Sequence, residues 1–260
     1  MDSLGTFPFG QPVQKVIQAD HAPKSVFVLG VYASTVHARW EGADSREIVK
    51  ALAVASEPYI FWRGDGADEI IRQIDVPEPL GRLVSADRRF NGPSGVALDE
   101  LILQPLGLDR SDVWLCDLVP HSCMNSGQKR AIKRAYLPVA EKYNLPEPNV
   151  PKVPKRLTGQ KRRAEILSEL QESGADLLIL LGDQPIRWFL NYYDRRWRRL
   201  ADFLQGGARY GDVHKAQLGN REMRVLPLAH PRQIARLGRS SVSWYRMHQE
   251  WIANRAGDVM

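Results

Sequence analysis

Four short, nearly continuous apolar runs rich in β-formers constrain this chain more than anything else in it. They are residues 25–30 (SVFVLG), 112–118 (DVWLCDL), 176–182 (DLLILLG) and 223–229 (MRVLPLA). A strand with one face in water alternates polar and apolar residues, whereas a strand covered on both faces does not, so these runs predict buried neighbours in a parallel sheet. The segments between them have helical spacing and helix-start signals. Ser94 precedes residues 95–106, Thr158 precedes 159–172, and Ser240 or Ser241 precedes 242–254. Strands alternating with helices imply an α/β fold, a three-layer α/β/α sandwich around a central, mainly parallel sheet of four to five strands. Ligands of such sheets gather beyond the carboxyl ends of the strands. That rule directs attention to residues 30–34, 117–122, 182–184 and 230–232.

The apolar runs are spread evenly over the 260 residues, so a single domain over 1–260 is expected, with about the first 20 residues peripheral. The segment YIFW (residues 59–62) reads equally as an extra strand or a loop anchor. Residues 145–157 hold four prolines among basic residues and predict an extended surface connection. No apolar run approaches the ~20 residues needed to cross a bilayer. The start, MDSLGTFPFGQ, lacks the basic-then-apolar pattern of a secretory signal. Cys116 and Cys123 cannot by themselves build a thiolate metal site, and they are expected as reduced thiols of a cytoplasmic protein. No metal and no cofactor are expected.

The net charge of +6 decides little, but its distribution is informative. Residues 152–163 (KVPKRLTGQKRR) carry six basic residues and no acid, and residues 195–199 read RRWRR. Such clusters suit a phosphate backbone; a solvated helix face or loop is the plainer alternative.

The block RFNGPSGVALDELILQPLGLDRSDVWLCDLVPHSCMN (residues 89–125) resembles a stretch of the uracil-DNA glycosylases, especially the bacterial branches. Further segments fall in matching order: GVYAS (30–34), LLILLGDQP (177–185) and LPLAHP (226–231), so that the resemblance spans roughly residues 26–251. It implies the fold of that superfamily, DNA as partner in single- or double-stranded form, and a base flipped out of its stack for excision. It also implies roles. Phe90 would stack on the base beside Asn91, Asp117 would read the base edge, and His230 of the His-Pro pair would stabilise charge on the base carbonyl. Gly30, Val31, Tyr32, Ala33 and Ser34 would line the substrate position, and Arg232, Arg236 and Arg239 would contact phosphates. Each residue has a bland alternative: core packing for Phe90, a turn cap for Asp117, and a structural hydrogen-bonded histidine for His230.

The chain departs from the family pattern in its first motif, which in many relatives has an Asp, Asn or Glu and a proline. Here Val31, Tyr32 and Ala33 stand instead, and a tyrosine with pKa ~10 is a poor base. Water then reacts unaided, or His37, Glu57 or Asp183 substitutes, or the protein binds without cutting. Asp117 stands where uracil-reading branches often have Asn. An ionised carboxylate only accepts hydrogen bonds and suits an altered purine, whereas a protonated one mimics Asn. Iron–sulfur cysteines are lacking. After His230, Ile234 or Leu237 is placed either as a wedge or as inward packing, and Trp244, Met247 and Trp251 are spaced to dock a helix.

The leading expectation is a monofunctional DNA glycosylase that hydrolyses the N-glycosidic bond of a damaged base in repair. Its alternative is an inactive nucleic-acid-binding member of the same fold. A hydrolase of free nucleosides would not need the basic clusters.

Overall fold

Every one of the four apolar runs forms a strand of the same sheet. The computed structural model describes residues 4–236 and 242–259. Its strands are β1 (Val26–Tyr32), β2 (Thr35–Glu41), β3 (Glu47–Ser56), β4 (Arg82–Ser85), β5 (Val113–Val119), β6 (Leu177–Leu181), β7 (His214–Leu218) and β8 (Arg221–Leu228). Contacts divide the chain into two compact units. The first takes the described residues of Met1–Val16, Tyr32–Pro93 and Pro120–Pro154; the second takes Ile17–Val31, Ser94–Val119 and the described residues from Lys155 onward.

The second unit holds the five-stranded sheet in the order β5, β1, β6, β8, β7. Strand β6 runs parallel to β1 and to β8, and β7 closes the edge antiparallel to β8. The residues of β5 and β6 are buried throughout, which explains why both are unbroken apolar runs. The sheet is therefore mainly parallel, as the run pattern predicts. The apolar runs do not mark strand β7. Its residues alternate in burial, and it joins β8 through Gly219 and Asn220 in a two-residue turn with Gly219 at φ +63°.

The first unit holds a second sheet that the apolar runs do not mark. Strands β3, β2 and β4 make a three-stranded antiparallel sheet whose pairing between β2 and β3 shifts register three times. Val36, Ala38 and Trp40 of β2 point into a core with Leu52, Val54 and Tyr136. Trp40 donates its indole N–H to the Leu80 carbonyl at 2.7 Å, so its polar edge is satisfied inside. The YIFW segment is a turn and not a strand. Ile60, Phe61 and Trp62 are buried there, with Phe61 at φ +53°, so it anchors a loop.

Helix Gln160–Ser173 starts one residue later than expected. Gly159 is its N-cap, and the Thr158 hydroxyl instead donates to the Trp188 carbonyl at 2.8 Å. Residues 93–106 are helical with a π-turn at Asp99–Leu103. Residues 145–157 form neither helix nor strand beyond one bridge at Lys152, in keeping with an extended connection. In helix Val242–Asn254 the buried residues are His248 and Trp251, while Met247 is exposed, which corrects the expected Met247 contact. Ser240 and Ser241 lie outside the described residues. Among the described residues no helix is long and apolar enough to cross a membrane.

Candidate active site

In the second unit, the carboxyl ends of β5, β6 and β8 carry Asp117, Gly182 and His230. His230 caps the short helix Pro231–Ile234, and its Nδ1 accepts the Arg232 amide at 3.2 Å. An accepting Nδ1 carries no proton, so the neutral ring bears its hydrogen on Nε2. Burial, with the Arg232 guanidinium nearby, pushes the His230 pKa down to about 4. The ring is thus a neutral Nε2–H donor at pH 7, and among the described residues nothing accepts that hydrogen.

Two arrangements fix the position of His230. Gly182 has φ +84° and ψ −174°, donates its amide to the Leu228 carbonyl at 2.7 Å, and leaves no side chain in the way. A Cβ there would lie 3.3 Å from the His230 Cβ. On the other side, Ala229 donates its amide to the Tyr210 hydroxyl at 2.9 Å, and that hydroxyl lies 2.8 Å from His248 Nδ1. His248 Nε2 lies 2.7 Å from the Leu101 carbonyl, which can only accept. The protons are therefore ordered: Tyr210 donates to Nδ1, and His248 donates from Nε2. Burial pushes the His248 pKa down to about 4, which keeps this ring neutral too.

Asp117 is buried in β5, and burial pushes its pKa up to about 7, against the opposing pull of Arg162. Arg162 does not bond the carboxyl group. Its guanidinium donates to the Asp117 backbone carbonyl at 2.7 Å, to Cys116 Sγ at 3.2 Å and to Glu169 at 2.8 Å. Among the described residues no donor reaches the Asp117 carboxyl group. Cys116 and Cys123 are both unpaired in disulfide terms and buried, and burial raises both thiols.

In the first unit, Phe90 is half-buried on a turn, with the Arg89 guanidinium 5.1 Å from its ring centre and the His37 ring at 6.3 Å. Asn91 is spent on backbone. It accepts the His37 amide at 2.8 Å and donates to the His37 carbonyl at 2.9 Å, mimicking a strand. Gly92 makes this possible: at φ +76°, a Cβ would lie 1.9 Å from the Arg63 carbonyl carbon.

Of the first motif, Gly30 and Val31 belong to the second unit, and Tyr32, Ala33 and Ser34 to the first. Tyr32 is exposed, while Ala33 is buried. The Ser34 amide donates to Glu57 Oε1 at 2.9 Å, and its carbonyl accepts the Ser122 hydroxyl. Glu57 also accepts the Trp62 amide at 3.3 Å, so this buried carboxylate holds the loop. Asp183 accepts the Leu200 amide at 2.8 Å and caps that turn. Glu57, Ser122, Arg162, Tyr210 and His248 were not assigned these roles from sequence. Each acts through a partner distant in the chain, so no local spacing marks them.

Arg232 and Arg236 are exposed, Arg236 at φ +58° with its guanidinium 5.4 Å from the Tyr245 ring centre. Ile234 is fully buried, which removes it as a wedge. Leu237 and Arg239 lie outside the described residues. The basic clusters divide: Arg162 is half-buried on Glu165 and Glu169, Arg196 pairs with Asp194, and Arg199 pairs with Asp202.

Compared with known proteins, no curated protein matches the chain. The family model described as the uracil DNA glycosylase superfamily matches residues 79–249, more than half of the chain, and takes in Phe90, Asp117 and His230. With its mainly parallel five-stranded sheet, the chain belongs to the uracil DNA glycosylase superfamily.

Proposed function

We propose that this protein is a monofunctional DNA glycosylase that hydrolyses the bond between deoxyribose and a damaged base turned out of the stack. The observation that carries the reading is His230. It is a neutral imidazole whose Nδ1 is committed to a helix cap and whose Nε2–H is left to donate, at the carboxyl end of a strand in the parallel sheet. As the glycosidic bond breaks, its electron pair moves onto the base and accumulates on a ring carbonyl. A fixed N–H donor there stabilises the departing anion without a change of protonation. Water adds to C1′ of the electrophilic sugar that remains, and the proton it releases to solvent balances the one the base anion takes up.

In this reading Phe90 stacks on the base and Asp117 reads its edge. A carboxyl group with a pKa of about 7 supplies one O–H donor and one acceptor while protonated, and that pair complements an N–H beside a C=O. Uracil and deaminated purines present such an edge. Glu57 and Ser122 hold Ser34, and Tyr32, Ala33 and Ser34 bring no carboxylate, so water capture proceeds without one in the first motif. Arg232, Arg236 and Arg239 are assigned to phosphates.

The same first motif favours a second reading, a binding protein that retains the fold without turnover. Oligonucleotides carrying uracil, hypoxanthine, xanthine or an alkylated base, each tested single- and double-stranded, separate the two. Base release by the native chain that disappears in His230→Ala is expected. No release from any substrate would leave the binding reading in its place.

A further inference from the structure

The arginines of the second unit differ in what they are given to hold. Arg162, Arg196 and Arg199 face carboxylates. Arg156, Arg163, Arg187 and Arg195 do not; among the described residues none of the four pairs with an acid. These four line one groove of about 560 Å³ together with Trp188 and Tyr192, and no carboxylate lines it. A neighbouring groove of about 620 Å³ shares Arg187 but is lined also by Asp183 and Asp202, which temper its charge.

The aromatic wall is built in. The Trp188 indole donates to Gln184 at 2.9 Å, and the Trp188 carbonyl receives the Thr158 hydroxyl. The Arg163 guanidinium sits 4.1 Å from the centre of the Tyr192 ring and donates to the Thr158 carbonyl at 3.2 Å. Arg187 lies 5.3 Å from the Trp188 ring centre, and Tyr192 is 49% exposed. Four unneutralised cations call for a polyanion. Flat rings among them call for a partner with exposed π-faces at the spacing of its charges. A duplex hides the faces of its bases in the stack, whereas a single strand offers phosphates and faces together.

We infer that this groove binds a single strand of nucleic acid, with Arg156, Arg163, Arg187 and Arg195 on phosphates and Tyr192 and Trp188 against unstacked bases. None of the residues assigned to excision lines it, and it rests on the proposed function only in taking nucleic acid as the partner.

The test is binding of a labelled oligothymidylate, free of damage, to the full chain by fluorescence anisotropy over a range of salt. Arg187→Glu/Arg195→Glu is expected to weaken binding by at least about tenfold and to flatten the salt slope by about 1.4, since each lost phosphate contact on a single strand removes ~0.7. Tyr192→Ala is expected to weaken binding by about fivefold or more with the slope unchanged. Arg46→Glu/Arg72→Glu, a charge-matched control of two exposed arginines, is expected to change binding by less than about twofold. Equal loss in the control, full binding by Tyr192→Ala, or parallel loss of duplex binding would overturn the groove assignment. If Arg187→Glu/Arg195→Glu melts earlier than the native chain, Arg187→Gln/Arg195→Gln replaces it. Base release is scored separately. Normal release with unaltered strand binding sinks the groove alone, and altered strand binding without any release sinks the excision reading alone.

Discussion

The carboxyl ends of β8 and β5 each carry a titratable group, half-buried His230 and buried Asp117, yet they treat it differently. At the end of β8, His230 is held at all but its Nε2: Nδ1 by a backbone amide, its neighbouring peptide by Tyr210 through Ala229, and its Cβ side by Gly182. In β5, Asp117 is fixed through its backbone carbonyl by Arg162, and its carboxyl group is left without a donor. Burial drives both groups toward the neutral form, down to about 4 for the histidine and up to about 7 for the aspartate. Only the aspartate therefore titrates near neutrality. Under the proposed function, this difference would separate a fixed charge stabiliser from an adjustable reader of a base edge.

The sharpest way to break this contrast is His230→Ala. Loss of a single fixed donor to a developing anion costs about 10²–10³ in rate. Single-turnover base release is expected to fall by that factor, while oligonucleotide binding stays within a few-fold. Loss of binding in the same proportion would show that the residue holds DNA and not the leaving base.

Gly182→Ala attacks the support instead of the donor. The backbone at φ +84° and ψ −174° belongs to glycine, and the new Cβ presses on His230. A stability loss of about 1–3 kcal/mol by denaturant melts is expected, together with slower base release.

The Asp117 side of the contrast is read by pH. If the protonated carboxyl reads the base, uracil release falls about tenfold per pH unit above about 7, and Asp117→Asn removes that fall. The stability effect has a definite sign. The folded pKa lies above the ~3.9 of an unfolded aspartate, so the native chain loses stability as pH rises from ~4 to ~7. The thermal stability of Asp117→Asn relative to the native chain should therefore improve across that window. A constant difference would place the proton elsewhere.

The smallest effect on base release is expected from Tyr210→Phe. The Ala229 amide and His248 Nδ1 lose a shared partner, at a cost of about 1–3 kcal/mol if neither finds water. A smaller loss of stability, with unchanged release kinetics, would show that β8 holds His230 without this network.

The unevenness of the sequence reading has a physical cause. Strands β1, β5, β6 and β8 are buried on both faces or nearly so, and their apolar runs stand out without any knowledge of partners. Strand β2, TVHARWE, alternates because one of its faces is not covered, and β7 does the same, so neither stands out as an apolar run. In β7 the Gly219-Asn220 pair was a usable hairpin signal. His230 was marked by a local cue, a histidine before proline after an apolar strand. Its tautomer was not, since that depends on where Nδ1 finds a hydrogen.

By itself the sequence determined the parallel sheet, the places where its strands end and the family, because these follow from burial pattern and ordered motifs along the chain. Tertiary structure alone decided which charges are spent and which are left. Arg162 and Arg163 are adjacent in sequence, yet one turns to Glu165 and Glu169 and the other lies on Tyr192 in an acid-free groove. The titration of Asp117 and His230 was decided in the same way, because desolvation and hydrogen-bond direction belong to surroundings assembled from distant segments.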